Sequence, residues 1–336
     1  MKFSIFLLFT FFSINLFAQD KIAEEYGFRH LQTIYKGDVI DILIKSKPGE
    51  ENVSKPLFLF CQGSLPVPLM IRYEKDGKKL IYNVFPFHAD SLAKDYHIVI
   101  VGKPYVPLVA DEKSLNSDMS YKDSTGKFPK KYIERNLLHY YVKRDITVLT
   151  FLRNQSWAAK DKLVVAGHSE GSAVAAKIAA DYSKVTALIY SGGNPLGRTM
   201  TLMARARINE TDSSKAAENI FQYWKNVIDN PGNVDGDGDT YKLNYQFSYP
   251  PPMNYLQKLK IPVLVTYGTK DDGLVNAADY FRLEMIRLNK NNFTFKDYIG
   301  LEHNFFPVKP NGEINYDIYN WDKVAEDWRS WLKALQ

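Results

Sequence analysis

Short apolar runs, each closed by glycine, proline or polar residues, alternate along the chain with stretches whose apolar residues return every three or four positions. The runs at 38–46, 56–61, 96–102, 162–167, 185–192, 261–268 and 292–300 are rich in β-branched and aromatic side chains and read as strands. Several are apolar throughout, the pattern of strands buried on both faces. Leu138, Val142, Ile146, Leu149 and Leu152 fall at helical spacing, as do Trp321, Val324, Trp328, Trp331 and Leu335. The stretch 170–181 is nearly all small residues, which suits a helix lying close on a sheet. Strands alternating with helices predict an α/β fold with a mostly parallel central sheet covered on both faces. Residues 194–258 break the rhythm, being too many for one crossover helix, and read as a largely helical insertion, a cap or lid.

Composition narrows the classes. A chain of 336 residues, 45% hydrophobic, can bury one large core. Its 43 basic against 38 acidic residues give +5 with no long basic tract, which argues against nucleic acid as a partner. At the N-terminus Lys2 precedes an apolar run from Phe3 to Phe17, then Ala18. These are the parts of a signal peptide over 1–18, followed by one domain over 19–336 in a secreted or periplasmic protein. The run is shorter than a spanning helix needs, so no stable membrane anchor is expected. Cys61 is the only cysteine, which rules out an intrachain disulfide, and its place at the end of an apolar run reads as packing.

Candidate chemistry centres on "GHSEG", 167–171. Gly-x-Ser-x-Gly arises by chance roughly once in ten chains of this kind, so its context decides. Here it leaves a predicted strand and opens a predicted helix, a sharp turn that would hold Ser169 above the sheet edge at the positive end of a helix. A serine hydroxyl needs a base to act as a nucleophile, usually a histidine that a carboxylate orients. Two later strand ends supply both: "GTKDDG" presents Asp271 and Asp272, and "GLEHNF" presents Glu302 and His303. His30, His88, His97 and His139 carry no metal-ligand pattern, and His168 is expected to point away from the serine.

The order Ser, Asp, His combined with strand–GxSxG–helix resembles the α/β-hydrolase superfamily over nearly the whole mature chain. "GTKD" and "GLEHNF" resemble the dienelactone hydrolase and prolyl-oligopeptidase-like branches. The resemblance implies Ser169 as nucleophile, His303 as base and Asp271 as acid, with Asp272 the alternative. It further implies an oxyanion hole made by the backbone N–H of Glu170, whose side chain is optional, and by the loop after an early strand. In that loop Gly63 lets the chain turn inward and the N–H of Ser64, or of Leu65, is the expected donor; many relatives have His-Gly where this chain has Gln62-Gly63. The implied activity is cofactor-free cleavage of a small ester or peptide-like substrate. An ester is favoured over a peptide because fewer than 40 residues precede the first predicted core strand. A non-catalytic binding protein on the same scaffold is the remaining alternative.

The loop "NVDGDGDTYKLN" places Asn233, Asp235 and Asp237 at positions 1, 3 and 5 of a calcium-like loop, with Gly238 at 6. Position 12 is Asn244 rather than glutamate, so an acidic surface turn is the preferred reading and calcium the alternative.

Overall fold

The computed structural model describes residues 21–208 and 210–335; the expected signal peptide lies outside them. All seven apolar runs form strands: β2 (Asp38–Lys45), β3 (Lys55–Cys61), β6 (His97–Val101), β8 (Ala158–His168), β9 (Ala187–Ser191), β10 (Val263–Gly268) and β11 (Phe293–Tyr298). With β1 (Phe28–Tyr35) they make an eight-stranded sheet in the order β1-β2-β6-β3-β8-β9-β10-β11. Pairing is antiparallel from β1 to β6 and parallel from β6 to β11, as the alternating pattern predicts. A smaller three-stranded sheet, β5-β4-β7, is built from β4 (Met70–Lys75), β5 (Lys78–Asn83) and β7 (Val109–Asp111).

Successive strand residues point to opposite faces, and the central strands divide between two cores accordingly. Leu57, Leu59, Val99, Val165, Leu188 and Val265 enter one core; it also takes in helices α1 (Leu138–Arg153), α2 (Glu170–Asp181) and, further along the chain, α7 (Val275–Arg287). Phe58, Phe60, Val164, Ile189 and Leu264 enter the other, which is closed by α8 (Trp321–Ala334) through Trp321, Val324 and Trp328. Because both faces are covered, the inner stretches Leu57–Cys61, Ile98–Val101 and Leu163–Ala166 are apolar at every position.

Among its described residues the interval 194–258 holds four helices: α3 (Arg198–Ile208), α4 (Ala216–Asp229), α5 (Tyr241–Ser248) and α6 (Met253–Leu256). Thr240 caps α5 by accepting the Leu243 N–H. The parallel register brings His168 opposite Ser191 and Gly268 opposite Tyr298. The loops leaving β8, β10 and β11 therefore emerge at the same sheet edge, the place where open α/β sheets gather ligands.

Candidate active site

The turn from β8 into α2 is tight for a covalent reason. A β-carbon on Gly167 would stand 2.1 Å from the Gly171 carbonyl oxygen, and one on Gly171 would stand 2.1 Å from the Cys61 carbonyl oxygen. The two glycines of the motif let strand, helix and the end of β3 meet backbone to backbone. Between them Ser169 takes φ 58° and ψ −127°, a conformation that L-residues rarely hold and that costs about 1–3 kcal/mol. Its backbone is pinned there: its N–H donates to the Ser191 carbonyl at 3.0 Å, and its carbonyl accepts from Ser172 Oγ at 2.6 Å and the Ser172 N–H at 3.1 Å.

His303, on the loop after β11, reaches Ser169 Oγ with Nε2 at 2.9 Å. Its Nδ1 lies 2.5 Å from Asp271 Oδ2. With the carboxylate accepting the Nδ1 proton, Nε2 is left to accept the serine proton. Asp271 is 3% exposed, whereas Asp272 faces solvent, so the structure brings Asp271 to the histidine and leaves its neighbour outside. The bond pattern is a continuous Asp–His–Ser chain drawn from three strand ends.

The loop after β3 runs beside the serine. A β-carbon on Gly63 would lie 3.9 Å from the Ser169 Cβ. The Gln62 side chain is turned away, donating to the Val101 carbonyl at 2.5 Å, and the Ser64 carbonyl accepts from Tyr132 Oη at 3.0 Å. Ser64 and Glu170 both line the cavity that contains Ser169 and His303. His168 is buried, with Nδ1 3.0 Å from Ser191 Oγ and its ring 4.7 Å from Trp321 and 4.9 Å from His303. Burial, and then the neighbouring His303, push its pKa well below the usual histidine range, so it is a neutral packing residue beneath the site.

The Glu170 side chain is not the optional group expected from the sequence. It is 5% exposed and sits between Lys103 Nζ at 3.8 Å and Arg198 Nη1 at 3.6 Å, outside hydrogen-bonding reach of both. Burial lowers the Lys103 pKa to about 8, against the opposing pull of Glu170. Arg198 also grips both carboxylate oxygens of Asp239, at 2.9 and 2.8 Å, and its Nε donates to Asn244 Oδ1 at 3.0 Å. Nothing in the sequence spacing marked Lys103 or Arg198.

The acidic loop is organised by its own bonds. Asn233 Oδ1 accepts the Asp235 N–H at 2.7 Å, Asn233 Nδ2 lies 3.2 Å from Asp235 Oδ2, and Asp239 is taken by Arg198. Asn244, the twelfth position of the calcium pattern, is fully buried in α5 with its amide oxygen engaged by Arg198. Among the described residues no group of three or more His, Cys, Asp or Glu side chains is gathered to hold a metal.

Two hollows flank the Ser169–His303 pair. One, of about 190 Å³, reaches under the helical interval to Arg198, Thr201, Leu202 and Arg205 of α3 and to Phe247. The other, of about 350 Å³, is walled by Leu65, Val67, Val84, Pro86 and Trp321. The aromatic residues Phe221, Tyr223 and Trp224 of α4 do not line the first hollow; Phe221 is exposed and Tyr223 packs on Tyr241.

No family model matches the chain, and no curated protein does. Among solved structures it is similar to the Pyrococcus horikoshii acylaminoacyl peptidase, at 14% identity and TM-score 0.52 over 82% of this chain and 37% of that one. It is also similar to the Est1E protein of Butyrivibrio proteoclasticus with ferulic acid bound, at 14% identity and TM-score 0.51 over 82% and 91%. A third likeness, at 13% identity and TM-score 0.50, is to a membrane phospholipase A described as a bacterial virulence factor, over 98% and 96%. The chain has the α/β-hydrolase fold. In the α/β-hydrolase frame the strand-to-helix elbow, the loop after β3 and the loops after β10 and β11 are the ones that surround Ser169. The chain spans 37% of the length of the peptidase. Among the described residues, no helix is long and apolar enough to cross a membrane.

Proposed function

We propose that the protein is a serine hydrolase that cleaves an ester-like acyl bond through Ser169, His303 and Asp271. The observation that carries this reading is the unbroken hydrogen-bond chain from Asp271 through His303 to Ser169, 2.5 and 2.9 Å long, ending on a strained residue that opens into a cavity. In the proposed mechanism Ser169 Oγ attacks the substrate carbonyl as His303 Nε2 takes its proton. Asp271 fixes the tautomer and stabilises the imidazolium. The backbone N–H groups of Glu170 and Ser64 hold the oxyanion, a contribution of roughly 10²–10³ in rate per donor in comparable sites. His303 returns the proton to the leaving group, and water, activated by the same imidazole, releases the acyl group.

The helical interval 194–258 acts as the cap over this site, and the protein is exported, a reading supported by Lys2, the apolar run 3–17 and Ala18. Export is checked by sequencing the N-terminus of the protein recovered outside the cytoplasm, which should begin near Gln19. The enzymatic reading is checked with a fluorophosphonate probe and short aryl esters. Wild type should label and turn over, and Ser169→Ala should lose labelling and drop turnover about 10⁴-fold or more. Undiminished labelling of Ser169→Ala would overturn the assignment, and faster cleavage of dipeptidyl anilides than of esters would move it to a peptidase.

A further inference from the structure

In the proposed reaction negative charge forms on the substrate oxygen that the Glu170 N–H receives. The carboxylate of the same residue is a like charge set close to it and opposes that step. Both Glu170 oxygens are buried and have no hydrogen-bond partner among the described residues, so water screens them poorly. Two cations stand against them, Lys103 Nζ at 3.8 Å and Arg198 Nη1 at 3.6 Å. Arg198 is shared, since it also bonds both carboxylate oxygens of Asp239. Lys103 lies just beyond the end of β6, is as buried as Glu170, and rests over the Tyr141 ring at 4.5 Å.

The other titratable groups around Lys103 are neutral or already matched. Arg144 and Asp145 of α1 bond each other at 2.7 Å, and burial pushes both the Tyr141 hydroxyl and the Cys61 thiol up, which keeps them protonated. On its outer side Lys103 borders a surface hollow with two carboxylates, but Asp38 is held by Arg135 and Tyr140, and Asp41 lies against His30 and Gln32. Lys131, in the same hollow, lies over the Tyr105 ring. The charges of Lys103, Arg198, Glu170 and Asp239 therefore cancel. Taking the proton from Lys103 leaves one net negative charge beside the oxyanion.

We propose that Lys103 is a positioning residue for the hydrolysis: its ammonium neutralises the Glu170 carboxylate and so lets the Glu170 N–H hold the oxyanion. This rests on the serine-hydrolase reading and adds a residue to it, outside the Ser169–His303–Asp271 chain. The effect belongs to the transition state, where the oxyanion exists, and so falls on kcat rather than KM. It also makes the rate depend on pH through one group. Arg198 keeps its proton at any working pH, whereas burial brings proton loss from Lys103 down to about 8, with Glu170 the strongest opposing pull.

The test is the pH profile of kcat and KM on 4-nitrophenyl acetate, run across the neutral and alkaline range, with urea denaturation of each variant to establish that it is folded. In wild type kcat should fall about tenfold through a limb near pH 8 while KM changes little. Lys103→Met should start at the lower level already at neutral pH and show no such limb. Glu170→Gln should move the limb to lower pH, because the carboxylate that favours the ammonium is gone. The double variant Lys103→Met/Glu170→Gln should regain part of the rate that Lys103→Met loses, since no buried anion is left to neutralise; a lysine that only packs would give losses that add. If Lys103→Met does not fold, the wild-type limb and its shift in Glu170→Gln decide. A flat wild-type kcat, a limb unmoved by Glu170→Gln or retained in Lys103→Met, or a double variant no faster than Lys103→Met would each overturn the proposal. Absence of wild-type turnover together with absence of fluorophosphonate labelling would instead overturn the hydrolase reading, and this proposal with it.

Discussion

Gly171→Ala sets two physical effects against each other. Gly171 is the second residue of α2, and helix propensity alone favours alanine there by up to about 1 kcal/mol. Yet an added β-carbon would stand 2.1 Å from the Cys61 carbonyl oxygen and 2.4 Å from that of Gln62, where ordinary contact begins at 3.4 Å. Both obstacles are backbone, so α2 and the end of β3 must part by more than an ångström, and β3 is a central strand hydrogen-bonded on both sides. Overpacking of this kind costs about 1–3 kcal/mol, which exceeds the propensity gain. The displaced segment is also the one that carries the proposed Ser64 oxyanion donor, and a shift of about 1 Å in a positioned group costs roughly 10²-fold in rate. Urea denaturation should show a net loss of about 1–2 kcal/mol, and kcat on an aryl ester should fall about 100-fold with slower fluorophosphonate labelling. A variant as stable as wild type with unchanged kcat would refute the close-approach account of the motif.

Asp271→Asn should lower kcat about 10⁴-fold by losing the productive histidine tautomer, while exposed Asp272→Asn should change it little; similar losses in both would count against Asp271 as the orienting acid. Lys103 loses its proton near pH 8 in the folded state, where burial penalises the ammonium, against 10.5 when unperturbed. Between those values the unfolded chain holds a proton that the folded chain gives up, so the burial cost is fully present below pH 8 and fades by pH 10.5. The stability of wild type relative to Lys103→Met should thus rise by roughly 3 kcal/mol across that window in chemical denaturation, and a flat difference would contradict it. Trp328→Ala should cost about 3–5 kcal/mol, since the ring is fully buried among Phe60, Phe87 and Trp321. Trp328→Phe should cost far less, because among the described residues the indole N–H has no hydrogen-bond partner to lose; equal costs in thermal unfolding would contradict that.

The strands buried on both faces were legible because burial leaves no room for polar side chains. The elements that escaped sequence reading are those whose polarity is satisfied by a distant neighbour. Strand β1, FRHLQTIY, carries His30 and Gln32 at core-strand spacing, and both bond Asp41 across the hairpin on β2. Strands β4 and β5, MIRYEK and KKLIYN, lie in the small outer sheet with charged residues on their open positions. Helix α7 does have apolar residues at helical spacing, Ala278, Phe281 and Met285, but Tyr280, Leu283 and Ile286 lie exposed between them and blur the period.

The same division runs through the site. Ser169 and His303 were readable because each sits at a strand end whose pattern is local, and Asp271 stood open against Asp272 until the structure showed which one reaches His303. Lys103, Glu170 and Arg198 come from three separate segments, and only the topology makes them neighbours. Glu170, whose backbone N–H is the proposed oxyanion donor, has its carboxylate set between Lys103 from the sheet side and Arg198 from α3. Removing either cation leaves a buried anion with a single partner at the start of the nucleophile helix, a costly state that breaking a buried pair produces. Arg198 also ties Asp239 and Asn244 of the acidic loop and α5 to the same point. The helical interval and the turn at Ser169 are therefore joined through one guanidinium, so Arg198→Ala is expected to lower kcat as well as stability.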